Sequence, residues 1–303
     1  MFTKILVPLD GSMLAERALE PALTLAQQQA NSELILLRVP VARQLVVTGR
    51  AGYGFLLPHQ SVEFNEKESR TYLDKLVKSH TRPDLTLRPI IQRGDEAGII
   101  VDTAEDEEVD LIIMSTHGYS GMTRWTLGSV TERVLHNAPC PVMILRNEQP
   151  ITQIVLLLDG SALAEQALAP GLALADALGA KVTLLRVVDP VQVETEKMAQ
   201  LVRAEGRSPD AAGLPETAGS YLTRIRRSQH TADLTINTAL LDGPPAEIIL
   251  DYVATKGIDL VAMATHGHTG LRRWVYGSTT DKVLRSGLCN MLIVRPAGHD
   301  LRD

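Results

Sequence analysis

Residues 4–26, KILVPLDGSMLAERALEPALTLA, run from a short aliphatic stretch through Asp-Gly-Ser into an Ala- and Leu-rich segment. The aliphatic run reads as a buried strand. Asp-Gly-Ser is turn and helix-cap chemistry, and the following spacing of apolar residues is helical. The same statement is made again at residues 153–175, QIVLLLDGSALAEQALAPGLALA. Even Pro21 and Pro170, awkward inside a predicted first helix, share one slot, and each implies a kink or a fresh turn there.

The repetition extends along the whole chain. ELILLRV (33–39) matches KVTLLRV (181–187), and RGDEAGIIVDTAEDEEVDLIIM (93–114) matches LDGPPAEIILDYVATKGIDLVAM (241–263). GSVTERVLHNAPCPVMIL (128–145) matches GSTTDKVLRSGLCNMLIV (277–294). A self-similarity this long is duplication. NEQPITQ (147–153) is the natural seam, giving domains at 1–148 and 149–303. Each half reads strand, helix, strand, variable segment, helix, strand, helix, strand, loop, short helix, strand. Short apolar strands alternating with amphipathic helices require crossover connections. The expected fold class is α/β: two tandem Rossmann-like domains, each a five-stranded parallel sheet flanked by helices on both faces.

Bulk composition narrows the function classes. A net charge of −6 argues against a general binder of nucleic acid or anionic membrane, which needs clustered Lys and Arg. No apolar run approaches a membrane span, and the opening residues read as a first strand rather than a signal peptide. Two cysteines are too few for a disulfide framework. A cytoplasmic location is expected. Cys140 and Cys289, in equivalent slots before the last strand, read as buried packing thiols.

Parallel sheets of this kind bind ligands beyond the carboxyl ends of their strands, where the strand order reverses. Two glycine-punctuated loops fall there, STHGYSGMTRWTLGS (115–129) and ATHGHTGLRRWVYGS (264–278). Gly118, Gly121 and Gly128, with Gly267, Gly270 and Gly277, would let an anion reach the backbone. Ser129 and Ser278 are expected as N-caps of the next helix, with Glu132 and Asp281 completing capping boxes. Free N–H groups at that helix start would finish the cradle. Asp10 and Asp159 read either as turn residues or as carboxylates for a ligand's ribose or base, and both roles can hold together.

The remaining loop residues admit blander readings. His117 and His266 read as loop-orienting, because a catalytic base needs an orienting partner that the sequence does not supply. Arg124, Arg272 and Arg273 would touch phosphates or solvate the rim, and Trp125 and Trp274 would anchor the loops. The divergent segments 41–67 and 189–216 read as loops under relaxed constraint, or else as a lid or partner surface.

ILVPLDGS, LLRV, MSTHGYSGMTRWTLGSVTERVL and APCPVMIL resemble the universal stress protein family, and the second half resembles it equally. The family's nucleotide-binding branch has Gly, two residues, Gly, nine residues, then Gly-Ser or Gly-Thr. Here Gly118 and Gly128, and Gly267 and Gly277, fill the second and third positions. The small residues Ser115 and Ala264 replace the first. The resemblance implies ATP, with Mg2+ or Mn2+ on its phosphates, against Pro8, Asp10, Val39, Met114, Ser115, Gly118, Gly128, Ser129 and Val130. In the second half it implies Leu157, Asp159, Val187, Met263, Ala264, Gly267, Gly277, Ser278 and Thr279.

The function implied is a nucleotide-dependent stress-response or regulatory module with an unidentified protein partner. A slow ATPase and a scaffold with non-binding pockets are the alternatives. No protein ligand to a metal is expected. The final strands, PVMILR (141–146) and NMLIVR (290–295), are apolar edges, so the halves are expected to meet through them as a pseudo-dimer. A homodimer of the whole chain is possible on the same grounds.

Overall fold

The computed structural model describes residues 2–29, 31–40, 46–49, 52–55, 58–116, 127–206, 216–229, 234–265 and 277–295. They form an α/β protein of two compact units. One takes in 2–116 and 127–142, the other 143–295.

In the first unit, β1 (Lys4–Pro8) pairs in parallel with β2 (Ser32–Arg38) on one side and β6 (Leu111–Ser115) on the other, and β5 (Leu85–Ile91) extends the sheet beyond β2. β7 (Val142–Leu145) opens in this unit, where the Pro141 carbonyl accepts from Ile112 N at 3.0 Å, and supplies the half's fifth strand. Ile5, Leu6, Val7 and Leu111–Ile113 are wholly buried. Strands whose consecutive residues are buried need cover on both faces, and the crossover helices supply it. These are α2 (Leu19–Gln27), α3 (Pro58–His80), α4 (Glu96–Asp106) and α5 (Ser129–Asn137).

The short α1 (Met13–Glu16) precedes α2, and the break answers the proline question. The ring of Pro21 excludes a continuous helix through Arg17, so a new helix begins with Pro21 in its first turn, where its missing N–H costs nothing. Pro170 does the same to α6 (Ala162–Glu165) and α7 (Leu168–Leu178).

The second unit repeats the plan. β8 (Gln153–Leu157) lies between β9 (Lys181–Val188) and β11 (Leu260–Ala264). β10 (Ile236–Asp242) lies beyond β9 and β12 (Asn290–Val294) beyond β11, all parallel. Helices α10 (Pro245–Lys256) and α11 (Ser278–Ser286) correspond to α4 and α5. At the opposite end from the predicted loops, one carboxylate pins the sheet in each unit. Asp110 Oδ2 accepts from Thr3 N, Thr3 Oγ1 and Lys4 N at 2.8–2.9 Å, and Asp259 Oδ2 treats Thr152 and Gln153 alike.

The divergent segments are not simple loops. The first contains an antiparallel hairpin, β3 (Val46–Gly49) with β4 (Gly52–Phe55), ahead of the long α3. The second contains α8 (Pro190–Ala204) before α9 (Ala218–Ser228). α8 starts on a full capping box: Asp189 accepts from Gln192 N at 2.8 Å, Gln192 Oε1 accepts from Asp189 N at 3.2 Å, and Pro190 sits in the first turn. Among the described residues no helix is long and apolar enough to cross a membrane.

Candidate functional site

Strand register brings most of the predicted positions to one edge of each unit. Pro8 pairs with Leu37, so two residues further Asp10 stands level with Val39. Leu6 pairs with Ile112, which sets Pro8 level with Met114 and Asp10 level with Thr116. The chain passes from β1 to β2 on one side and returns to β6 on the other, so this edge is where the strand order reverses. In the second unit Leu157 closes β8, with Asp159 two residues on. Val187 lies near the end of β9, and Met263 and Ala264 close β11. Gly118 and Gly267 lie outside the described residues, as do Gly121, Gly270, His117, His266, Trp125, Trp274 and the loop arginines 124, 272 and 273.

The aspartate turns are built alike. Asp10 Oδ1 accepts from Ser12 N at 2.9 Å and from Ser12 Oγ at 2.6 Å, and the Ser12 hydroxyl oxygen accepts from Ala15 N at 3.1 Å as the N-cap of α1. Asp159 Oδ1 accepts from Ser161 N at 2.8 Å, and Ser161 caps α6. Turn chemistry is thus realised at both aspartates, with serine as the cap. It engages one carboxylate oxygen and leaves the side chain at the ligand edge.

The capping boxes predicted at Ser129 and Ser278 do not form. The N-caps are Gly128 (φ −62°, ψ 145°) and Gly277 (φ −52°, ψ 147°), neither with a side-chain cap hydrogen bond, and Ser129 and Ser278 are already the first helical residues. The offset is fixed by the backbone. Glu132 N donates to Gly128 O at 2.9 Å and Asp281 N to Gly277 O at 3.0 Å, which places each glycine at the half-in position. A glycine cap brings no hydroxyl to compete for the N–H groups of the first turn. Val130 and Thr279 follow as the second helical residues.

The two necks differ. Gly128 N donates to Thr116 O at 3.2 Å, and a Cβ on Gly128 would lie 2.6 Å from that same carbonyl oxygen. Among the described residues a Cβ on Gly277 would meet nothing within 4 Å.

Two charged residues at the edge were passed over in the sequence. Glu96 opens α4 half-buried, and burial together with the Asp10 charge pushes its carboxyl above the usual range. Arg38 ends β2 and donates from Nη1 to Leu9 O at 3.2 Å. The available signal was the shared LLRV at 36–39 and 184–187, which puts an arginine after two leucines late in the second strand of both copies, Arg38 and Arg186. Beside Glu96, Asp95 caps α4 through Gly98 N at 2.9 Å and takes both Arg133 guanidinium nitrogens at 2.5–2.6 Å, tying α4 to α5. Arg133 and the Gly98 N–H hold the Asp95 carboxyl below its usual range. Burial pushes the thiols of Cys140 and Cys289 up to about 12, as packing residues require. Among the described residues no group of three or more His, Cys, Asp or Glu side chains could hold a metal ion.

Comparison with known proteins agrees with this geometry. The model of the universal stress protein family matches twice, over residues 1–146 and 150–295. The chain belongs to the universal stress protein family. It is 27% identical over 314 residues to universal stress protein Slr1230 of Synechocystis, covering 96% of this chain and 99% of that one. Universal stress protein YxiE of Bacillus subtilis is 33% identical over 151 residues, 48% of this chain and all of YxiE, so one YxiE length corresponds to one half. The crystal structure of a universal stress protein from Archaeoglobus fulgidus superposes with a TM-score of 0.67 at 18% identity, over 98% of this chain and all of that one, and shares the fold.

Proposed function

We propose that this tandem universal stress protein holds ATP at two sites, one per domain (1–148 and 149–303), and acts as a nucleotide-dependent stress-response or regulatory module. The observation that carries the reading is the glycine N-cap, bare of any side-chain cap, at the strand-order reversal of both units. A helix start with no side-chain cap and a positive dipole end favours phosphate. Across the edge the Asp10 and Asp159 carboxylates suit the hydroxyls of a ribose. Pro8, Val39, Met114, Ser115, Gly118, Gly128, Ser129 and Val130 complete the first site. Leu157, Val187, Met263, Ala264, Gly267, Gly277, Ser278 and Thr279 complete the second. A divalent ion, Mg2+ or Mn2+, would ride on the phosphates rather than in a protein cage.

The proposed setting is the cytoplasm, with a regulatory protein as partner and the halves closed on each other as a pseudo-dimer. Purifying the protein without added nucleotide, denaturing it and chromatographing what is released tests the reading. ATP supports it, mostly ADP supports slow hydrolysis, and release of nothing from a protein that also takes up no added ATP refutes it in favour of a scaffold.

A further inference from the structure

Under each Asp-Gly-Ser turn lies an arginine from the second strand. Arg38 donates from Nη1 to Leu9 O at 3.2 Å, while Leu9 N donates to Leu37 O at 2.8 Å, so the residue that opens the turn is held from both ends. Gly11 follows at φ +79°, and a Cβ there would lie 3.3–3.4 Å from the Arg38 guanidinium. The second unit repeats the backbone bond and the approach of the guanidinium to the glycine. Leu158 N donates to Leu185 O at 2.9 Å, and a Cβ on Gly160 (φ +94°) would lie 2.9–3.0 Å from the Arg186 guanidinium. Both glycines are required twice over, by a left-handed backbone and by the cation pressed against them.

Each guanidinium is itself held from behind. Arg38 lies 5.8 Å from the ring centre of Tyr72 on α3, and Arg186 lies 5.0 Å from that of Tyr221 on α9. The Tyr72 hydroxyl donates to Glu16 Oε1 at 2.9 Å; in the second unit Glu165 lies near Tyr221, whose buried hydroxyl makes no hydrogen bond among the described residues. Among the described residues, the buried Nε of Arg38 and that of Arg186 have no hydrogen-bond partner. An arginine that served only to solvate a rim would not carry that cost. Successive residues of a strand point to opposite faces, so Arg38 and Arg186 lie away from Val39 and Val187, beneath the turn rather than at the ligand.

We propose that Arg38 and Arg186 are positioning residues, clamps that set the turns carrying Asp10 and Asp159 and thereby each pocket's grip on the nucleoside end of its ligand. The inference rests on the nucleotide reading above and adds to it residues that touch no ligand. The test uses the full chain with Arg38→Met, Arg38→Lys and the matching Arg186 variants, the unaltered half serving as internal control. Amide hydrogen exchange over 9–15 and 158–164 reads the turn directly, and calorimetry with ATP and with inorganic triphosphate reads the two ends of the site.

Arg38→Met should speed exchange at 9–15 and leave 158–164 alone. It should weaken ATP at one site about tenfold, the loss expected when a charged hydrogen-bonding group is misplaced. Triphosphate affinity should change less than about twofold, and Arg38→Lys should recover part of the ATP affinity. Unchanged exchange overturns the clamp, as does an equal loss of ATP and triphosphate. If the unsubstituted protein takes up no adenine nucleotide, the nucleotide reading falls by itself. Exchange confined to the turn would then still support the clamp, and its absence would still overturn it.

Discussion

Gly128 and Gly277 occupy equivalent places in different surroundings, and that difference separates a glycine the fold needs from one assigned to the proposed nucleotide. At Gly128 a single added methyl would sit 2.6 Å from the Thr116 carbonyl oxygen, backbone against backbone, so something must move. Overpacking of this kind costs about 1–3 kcal/mol. In a domain of this size that lowers Tm by roughly 2–12 °C. At Gly277 the methyl meets nothing within 4 Å among the described residues, and φ of −52° suits any L-residue. Losing glycine from the N-cap costs up to about 1 kcal/mol, and a stiffer unfolded chain returns about 0.4–1 kcal/mol, so Tm should stay within about 3 °C.

Among the described residues nothing therefore calls for glycine at 277, whereas the proposed nucleotide would. Gly277→Val would crowd the first-turn N–H groups, to which the proposed reading assigns the phosphate oxygens, and should reduce ATP stoichiometry from two per chain to one while the protein stays folded. Gly128→Ala should lower Tm whether or not nucleotide is present. Scanning calorimetry and titration calorimetry on the same preparations check both statements. Two intact sites in folded Gly277→Val would refute the site assignment, and a Gly277→Ala protein as destabilised as Gly128→Ala would refute the distinction between the necks.

Asp10→Ala and Asp159→Ala should weaken ATP by about ten- to a hundred-fold and triphosphate less, as measured by calorimetry; an equal loss of both would reduce the aspartates to turn residues. Glu96 has a folded pKa raised above its unfolded value, so the stability it contributes is complete below the unfolded pKa and is lost as pH rises through the folded one. Glu96→Gln should accordingly raise Tm near neutral pH and leave it unchanged in acid, and a thermal melt series against pH would show the opposite order if burial were not the cause. Asp110→Ala and Asp259→Ala each remove an acceptor of three hydrogen bonds and should cost about 1.5–3 kcal/mol, read as a lowered denaturation midpoint with nucleotide affinity retained. Expressed separately, 1–148 and 149–303 should associate when mixed, and Ile144→Lys should weaken that association in sedimentation; monomeric, folded halves would count against the pseudo-dimer.

The strands, crossover helices and ligand edge were legible because their signals are local and occur twice. An all-apolar run of five residues (5–9) followed by Asp-Gly-Ser allows few alternatives, and seeing it again at 154–158 removes most of those. The capping boxes failed by a single residue. Serine followed three places later by an acid satisfies the pattern, but Gly128 and Gly277 claim the cap through a backbone bond that side-chain chemistry does not reveal. Helix α8 was missed for the opposite reason. Its start signal at Asp189–Gln192 is strong, but its apolar residues do not make a buried stripe: Met198 and Leu201 are more than half exposed, so the periodicity that marks a core-facing helix is weak. The anchoring of Asp110 to Thr3 spans 107 residues, and no local pattern announces a contact between the starts of two strands.

Duplication also sorts the constraints on the edge itself. Whatever the sheet requires must appear in both halves, and Asp110 with Asp259, Ser12 with Ser161 and Arg38 with Arg186 do. The start of the fourth helix does not repeat. Asp95 and Glu96 in the first half are replaced by Pro244 and Pro245 in the second, where the N-cap makes no side-chain hydrogen bond. The fold therefore tolerates either solution, and the acidic pair in the first half is not needed to build the helix. What it changes is charge: Glu96 adds a carboxylate near Asp10 that the second half lacks at this position. A polyanionic ligand meets more repulsion from that residue in the first half than from proline in the second. The two halves thus share a turn geometry while differing in one of the properties that set affinity for an anion.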